Sequence, residues 1–158
     1  MTAAPTPDRG VPYSVYLPPD GAVEWNLRPG RLLEAIQEGG QLWVDIDATD
    51  VHQHSLLEKV FHFHHLAIED TLSPETRVKF EEYPEQLFLV VRGVRFDATT
   101  NDPYDLETAN LYLFLSGNTL VTVRSQPSRA IDEVKHRIER GPDLLHRGVE
   151  MILHGVVD

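Results

Sequence analysis

Three histidines fall within four positions, His62, His64 and His65, and an acidic pair, Glu69 and Asp70, follows in the same short segment. Imidazole next to carboxylate is the side-chain chemistry of transition-metal sites and of acid–base pairs. His65 and Glu69 stand four residues apart, the spacing an acid–base pair on one helix face would need. No nucleophile accompanies them: the chain has no G-x-S-x-G elbow, no Gly-rich phosphate loop and no H-E-x-x-H. A small hydrolase therefore ranks last, and the chain is read as a binding protein, not an enzyme.

The histidines lie where a first helix should end, and histidine suits the negative end of a helix dipole. His64 and His65 are adjacent and are expected to point in different directions, so that both do not easily bind one ion. Local structure is the expectation for His62, His64 and His65; a stand-alone soluble metal-binding module using them is the alternative. His52 and His54 alternate with polar residues on the first turn of the same helix and read as solvated.

Each helical residue advances about 100°. If Ile68 and Leu72 face the core, Asp70 points nearly opposite and Glu69 to the side, both toward solvent or a neighbouring subunit. Oxygen ligands of this kind suit Mg2+, which keeps several waters and takes one or two carboxylates. Side-chain chemistry alone favours the plainer reading, an exposed acidic turn. The strip Arg77, Lys79, Glu81, Glu82 alternates with Val78 and Phe80 and reads as a half-buried edge strand with its charges toward water.

The elements that must hold these groups follow from patterning. Residues 1–10 read as a loose Pro/Ala/Thr-rich tail, and residues 11–158 as one domain. Val11–Leu17 and Ala22–Leu27 read as strands around the turn Pro18–Gly21. Arg31–Glu38 reads as a helix ended by Gly39-Gly40, and Gln41–Ile46 as a compact apolar strand. Asp50 should cap the next helix, with Gln53 as its capping-box partner and Leu56, Leu57, Val60 and Phe61 as its apolar stripe. A short helix over His65–Leu72 stops at Ser73-Pro74.

Arg77–Glu82 and Gln86–Phe96 read as strands, and Phe96–Asp105 as a polar loop. Leu106–Leu115 and Thr119–Arg124 read as a hairpin around Ser116-Gly117-Asn118. Ser128 caps a helix that Gly141-Pro142 ends. Leu145, Val149, Ile152 and Val156 form a stripe for a last helix running to the chain end, where no cap follows; a fragment of a longer protein is expected. The order implies an α/β (α+β) domain with a mixed sheet.

Composition narrows the function. The net charge of −11 argues against nucleic acid, which is held through clustered Lys and Arg. The absence of cysteine removes disulfides and thiolate metal sites and fits a reducing compartment. The start, MTAAPTPDRG, has no basic n-region or apolar h-region, so no secretory signal is expected. The longest apolar runs, Leu87–Val91 and Leu111–Leu115, fall far short of the roughly 20 residues a membrane helix needs.

LWVDIDATD (Leu42–Asp50), followed by HHLAIEDTLSPETRVKFEEYPEQLFLVVRGV (His64–Val94), resembles the cytosolic N-terminal domain of CorA-type magnesium transporters and their zinc-transporting relatives. The segment His65-Leu66-Ala67-Ile68-Glu69-Asp70-Thr71-Leu72 follows the family's H-P-L-x-[LI]-E-D-x-L. Arg77-Val78-Lys79-Phe80 keeps two bases of its R-P-K strip, with Val78 in place of proline, and His64-His65 replaces the usual His-Pro. Leu111–Arg124 resembles the family hairpin, and Ile152–Asp158 the start of the helix toward the stalk. The likeness runs over about residues 10–158.

That resemblance implies an α/β/α sandwich forming part of a cytosolic funnel in a homopentameric channel. A stalk helix and two membrane helices with a Gly-Met-Asn motif would follow. It implies regulatory Mg2+ bound between subunits by Asp70, with Glu69 as a water-mediated or supporting ligand, Asp158 as a further acidic position, and the partner carboxylate on a neighbouring stalk. Co2+, Ni2+ or Zn2+ are the alternative ions. The implied location is the cytoplasmic face of the cell membrane, reached through the C-terminal part.

Overall fold

The structure, a computed structural model, describes residues 6–73, 76–96 and 106–157. Its centre is a seven-stranded sheet. In chain order the strands are β1 (Tyr13–Leu17), β2 (Glu24–Trp25), β3 (Gln41–Asp47), β4 (Lys79–Tyr83), β5 (Gln86–Phe96), β6 (Leu106–Ser116) and β7 (Thr119–Arg124). Their spatial order is β2-β1-β3-β7-β6-β5-β4. β3 and β7 run parallel, and the other neighbours are antiparallel. The expected mixed sheet is therefore present.

Helices cover both faces. On one side α1 (Pro29–Glu38), α2 (Val51–Lys59) and α3 (His65–Asp70) bring Leu32, Ala35, Leu56, Leu57 and Ala67 onto Tyr16, Val44, Phe88, Phe114 and Val121. On the other, α4 (Arg129–Arg140) and α5 (Glu150–Val157) bring Ile131, Val134, Ile138, Ile152 and Val156 onto Val15, Trp43, Leu113 and Leu120. Alternate residues of each strand enter opposite cores, so the apolar run of β3 is buried on both faces, as the interior of a two-sided sheet requires. The α/β/α sandwich is formed.

The hairpin between β6 and β7 turns at Gly117-Asn118, where Gly117 has φ +56°. Gly40 also requires glycine: its φ is +91°, and a Cβ there would lie 2.4 Å from the Leu17 carbonyl oxygen. Ser128 caps α4 through the Ile131 N–H, as expected.

Four expectations are corrected. Asp50 does cap α2, accepting from the His52 and Gln53 N–H groups, but Gln53 does not close a capping box. Its Oε1 instead accepts from the Asp47 N–H, joining α2 to the end of β3. The last apolar stripe is not one helix: a 3-10 turn at Pro142–Arg147 is broken from α5 by Gly148 at φ +94°. Leu145, Val149, Ile152 and Val156 are nonetheless all buried. The second strand of the first hairpin shrinks to Glu24–Trp25. β4 alternates as expected with the opposite face inward: Val78 and Phe80 are 59% and 57% exposed, while Lys79, Glu81 and Tyr83 are half-buried. The polar stretch read over Phe96–Asp105 lies, from residue 97 on, outside the described residues.

A polar network stitches the second core. The Trp43 indole N–H donates to Thr122 Oγ1, which donates to Asp45 Oδ1 at 2.8 Å. The Asp45 side chain is 1% exposed and also receives Lys135 Nζ at 2.8 Å and the Arg124 guanidinium at 3.2 Å. A buried carboxylate is tolerated only when paired this fully, and removing one partner of such a pair leaves charge unpaired in a dry site. Asp45→Ala is expected to lower stability by about 3 kcal/mol in urea unfolding; a loss within error would show that β3, β7 and α4 are held by apolar packing alone.

Candidate functional site

The segment 62–83 gathers most of the groups that the sequence marks as reactive. Beyond the end of α2, His62 lies in the left-handed region at φ +53°, exposed to solvent. Phe63 then turns inward and stacks on Phe114 with ring centroids 4.1 Å apart, which anchors the start of α3 over the sheet. His64 is the N-cap of α3: its Nδ1 accepts from the Leu66 N–H, and its own N–H donates to Gln86 Oε1 at 2.8 Å. Its ring stacks on Tyr83 at 4.3 Å and on His65 at 4.7 Å.

The adjacent histidines thus stack with near-parallel rings rather than diverging, because capping fixes one ring and Tyr83 offers it an aromatic face. His64 spends Nδ1 on the cap, and His62 stands apart in its turn. Among the described residues, no group of three or more His, Cys, Asp or Glu side chains is placed to hold a metal ion.

α3 also faces differently from its pattern. Ala67 and Thr71 are buried, Ile68 is half-buried, and Leu72 is 60% exposed. The helix ends at Asp70 and its last carbonyls are taken in tight turns by Thr71 and Leu72, which rotates Leu72 away from the sheet. Glu69 is left exposed. Asp70 instead leans over the β4 edge, its side chain 28% exposed, and its Oδ2 lies 2.5 Å from Lys79 Nζ. Asp158 lies outside the described residues.

Lys79 is shared. Its ammonium also lies 2.6 Å from Glu81 Oε1, and Glu81 accepts a hydrogen bond from the Tyr83 hydroxyl. The hydrogen bonds that the ammonium donates to Asp70 and then to Glu81 raise the Lys79 pKa above the ordinary lysine value. Those from Lys79 and then Tyr83 hold the Glu81 carboxyl below its own. Burial, with the Glu81 carboxylate second, pushes the Tyr83 phenol up to about 12. The half-buried face of β4 is therefore an alternating row of base, acid and phenol beneath Asp70. Sequence patterning placed these charges toward water; the one available signal was that the strand alternates, which fixes two faces without saying which is inward.

The reading of His54 as solvated is also corrected. It is half-buried, and its Nε2 lies 2.8 Å from Thr71 Oγ1, linking α2 to the end of α3. Thr71 directs its hydroxyl proton to the Ile68 carbonyl at 2.6 Å, so the histidine must donate, and the Nε2–H tautomer is assigned.

The family model described as CorA-like Mg2+ transporter protein matches residues 38–158. YfjQ of Bacillus subtilis, named as a metal ion transporter, is 29% identical over 116 residues, covering 73% of this chain and 34% of that protein. The cobalt/magnesium transport protein CorA of Thermotoga maritima is 23% identical over 120 residues, covering 73% and 33%. The chain thus spans about a third of the length of these curated relatives. The structure of the CorA magnesium transporter from Methanocaldococcus jannaschii superposes with a TM-score of 0.68 at 14% identity, over 92% of this chain and 43% of that one. That likeness concerns the fold.

Burial lowers the His54 pKa below its ordinary value. Protonation then favours the unfolded chain, so the stabilising contribution is complete above the unfolded pKa of about 6.5 and is lost as pH falls toward the folded one. Acidification from about pH 7.5 to 5.5 should lower the melting temperature less in His54→Gln than in the parent chain; equal slopes would show that His54 titrates as if exposed.

Proposed function

The chain belongs to the CorA-like Mg2+ transporter family, and from that premise we propose that it is the cation-sensing domain of a membrane transporter or channel for divalent metal ions. In this reading residues 11–158 form the regulatory domain on the cytoplasmic face of the cell membrane. It acts by binding and gating, without catalysis. Among the described residues no helix is long and apolar enough to cross a membrane. The sensed ion is Mg2+, with Co2+ as the related cargo that one relative's name carries.

The observation that carries this reading is the Asp70 carboxylate. It stands at the end of a short exposed helix, is 28% exposed, and already holds a cation, the Lys79 ammonium, at 2.5 Å. Glu69 adds an exposed carboxylate next in sequence. Two carboxylates are what hydrated Mg2+ accepts from protein, its other positions being kept by water. They make half of a site, and a neighbouring subunit of a homopentamer supplies the other half.

Mg2+ there neutralises carboxylates that would otherwise repel across the subunit boundary. Its loss loosens the ring, a population shift whose size is limited by the difference in Mg2+ affinity between closed and open states. In the full-length protein, Asp70→Ala is expected to raise the Mg2+ concentration for half-maximal protection from protease by about tenfold, equal to about 1.4 kcal/mol. An unchanged Mg2+ response would remove Asp70 from the site.

A further inference from the structure

Lys79 is placed where a bound divalent ion would have to go. Its Nζ is 2.5 Å from Asp70 Oδ2, a direct charge-assisted contact that occupies one oxygen of the carboxylate proposed above as a sensor ligand. The lysine is tethered there by structure. Its backbone is paired to Val90 in the sheet, its stem lies along the half-buried face of β4, and its ammonium sits 5.9 Å from the centre of the Phe88 ring. It also has somewhere else to go: Glu81 Oε1 is 2.6 Å from the same nitrogen, and the Tyr83 hydroxyl steadies that carboxylate.

We propose that Lys79 is a built-in competitor for the Asp70 carboxylate, and that a divalent cation binds only by shifting the ammonium from Asp70 onto Glu81. The proposal rests on the sensor reading of Asp70 and adds what sets its threshold. A carboxylate without an internal cation would take up divalent ions at lower concentration and stay loaded. One that must first give up an ammonium responds at a higher concentration. The exchange needs only a small displacement, because both carboxylates already touch the same nitrogen. Lys79 also returns to Asp70 when the ion leaves, so the empty state does not expose an unpaired carboxylate under a half-buried edge.

Two neighbouring substitutions should act in opposite directions. Lys79→Met removes the competitor and should lower the half-maximal Mg2+ concentration by about fivefold, the scale of a partly exposed ion pair. Glu81→Gln removes the alternative partner, leaves Lys79 to Asp70 alone, and should raise that concentration. Arg77→Gln removes an equal charge from an exposed neighbouring position and should leave it nearly unchanged.

The experiment is a MgCl2 titration of the full-length protein, read as protease protection and as melting temperature, for these three variants, Asp70→Ala and the parent. A half-point raised in Asp70→Ala, shifted down in Lys79→Met and up in Glu81→Gln, supports the competition. If Asp70→Ala responds like the parent, the sensor site fails and the competition with it. If Asp70→Ala raises the half-point but Lys79→Met keeps the parent's, the site stands and the competition is overturned. A shift in Arg77→Gln as large as in Lys79→Met also overturns it, by reducing the effect to overall charge. Should Lys79→Met not fold, a half-point in Glu81→Gln that fails to rise overturns it.

Discussion

The pairing of β3 with β7 sets the terms for the whole domain. The two strands lie side by side from Leu42 opposite Thr119 to Asp47 opposite Arg124, and they run parallel. Parallel neighbours cannot be joined by a tight turn, so a long crossover must connect them. It runs through α2, α3 and the β4–β5–β6 meander of the same sheet, the segment carrying every described group of the candidate site. Because the side-chain period is two, a one-residue slip would drive Trp43 and Asp45 into the apolar core beneath α2. The bonds from Trp43 to Thr122 to Asp45, closed by Lys135 and Arg124, fix the register chemically as well as sterically.

That constraint explains the position of α3. The chain leaves β3 onto the face of the first core, and Phe63 stacked on Phe114 pins the end of the α2 segment over β6. α3 then lies beside the outer strands, where its last residue overhangs the β4 edge. Asp70 meets Lys79 there, and the pair with Glu81 turns what would be a solvated charged strip into a partly covered polar row. The apolar side chains Val78 and Phe80 are left outside. Local hydrophobicity lost to a charge contact, because an acid already held over that edge makes an inward lysine more stable than an inward phenylalanine would make the acid.

Much of this was readable from the residues. The β6–β7 hairpin, the α4 cap at Ser128, the Asp50 cap and the buried run of β3 each follow from local rules that tertiary contacts did not oppose. The continuous last helix failed locally, at the bend that Gly148 takes at positive φ. The capping box at Gln53 and the inward face of β4 failed because each depends on what lies opposite, the Asp47 amide and the Asp70 carboxylate. His54 failed in the same way, since its partner Thr71 is far along the chain and its polar neighbours in sequence suggested water.

The sequence by itself determined the element types and the α/β class. It also marked Glu69 and Asp70 as a carboxylate pair of the kind that suits a hydrated divalent ion, and its motif order resembled the transporter family. These are properties of spacing and side-chain type, which act over a few residues. Tertiary structure alone decided which carboxylate is paired, with which cation, and on which side of the edge strand. Those outcomes depend on electrostatics at a few ångströms between segments that the β3–β7 crossover brings together, and no periodicity along the chain encodes that distance.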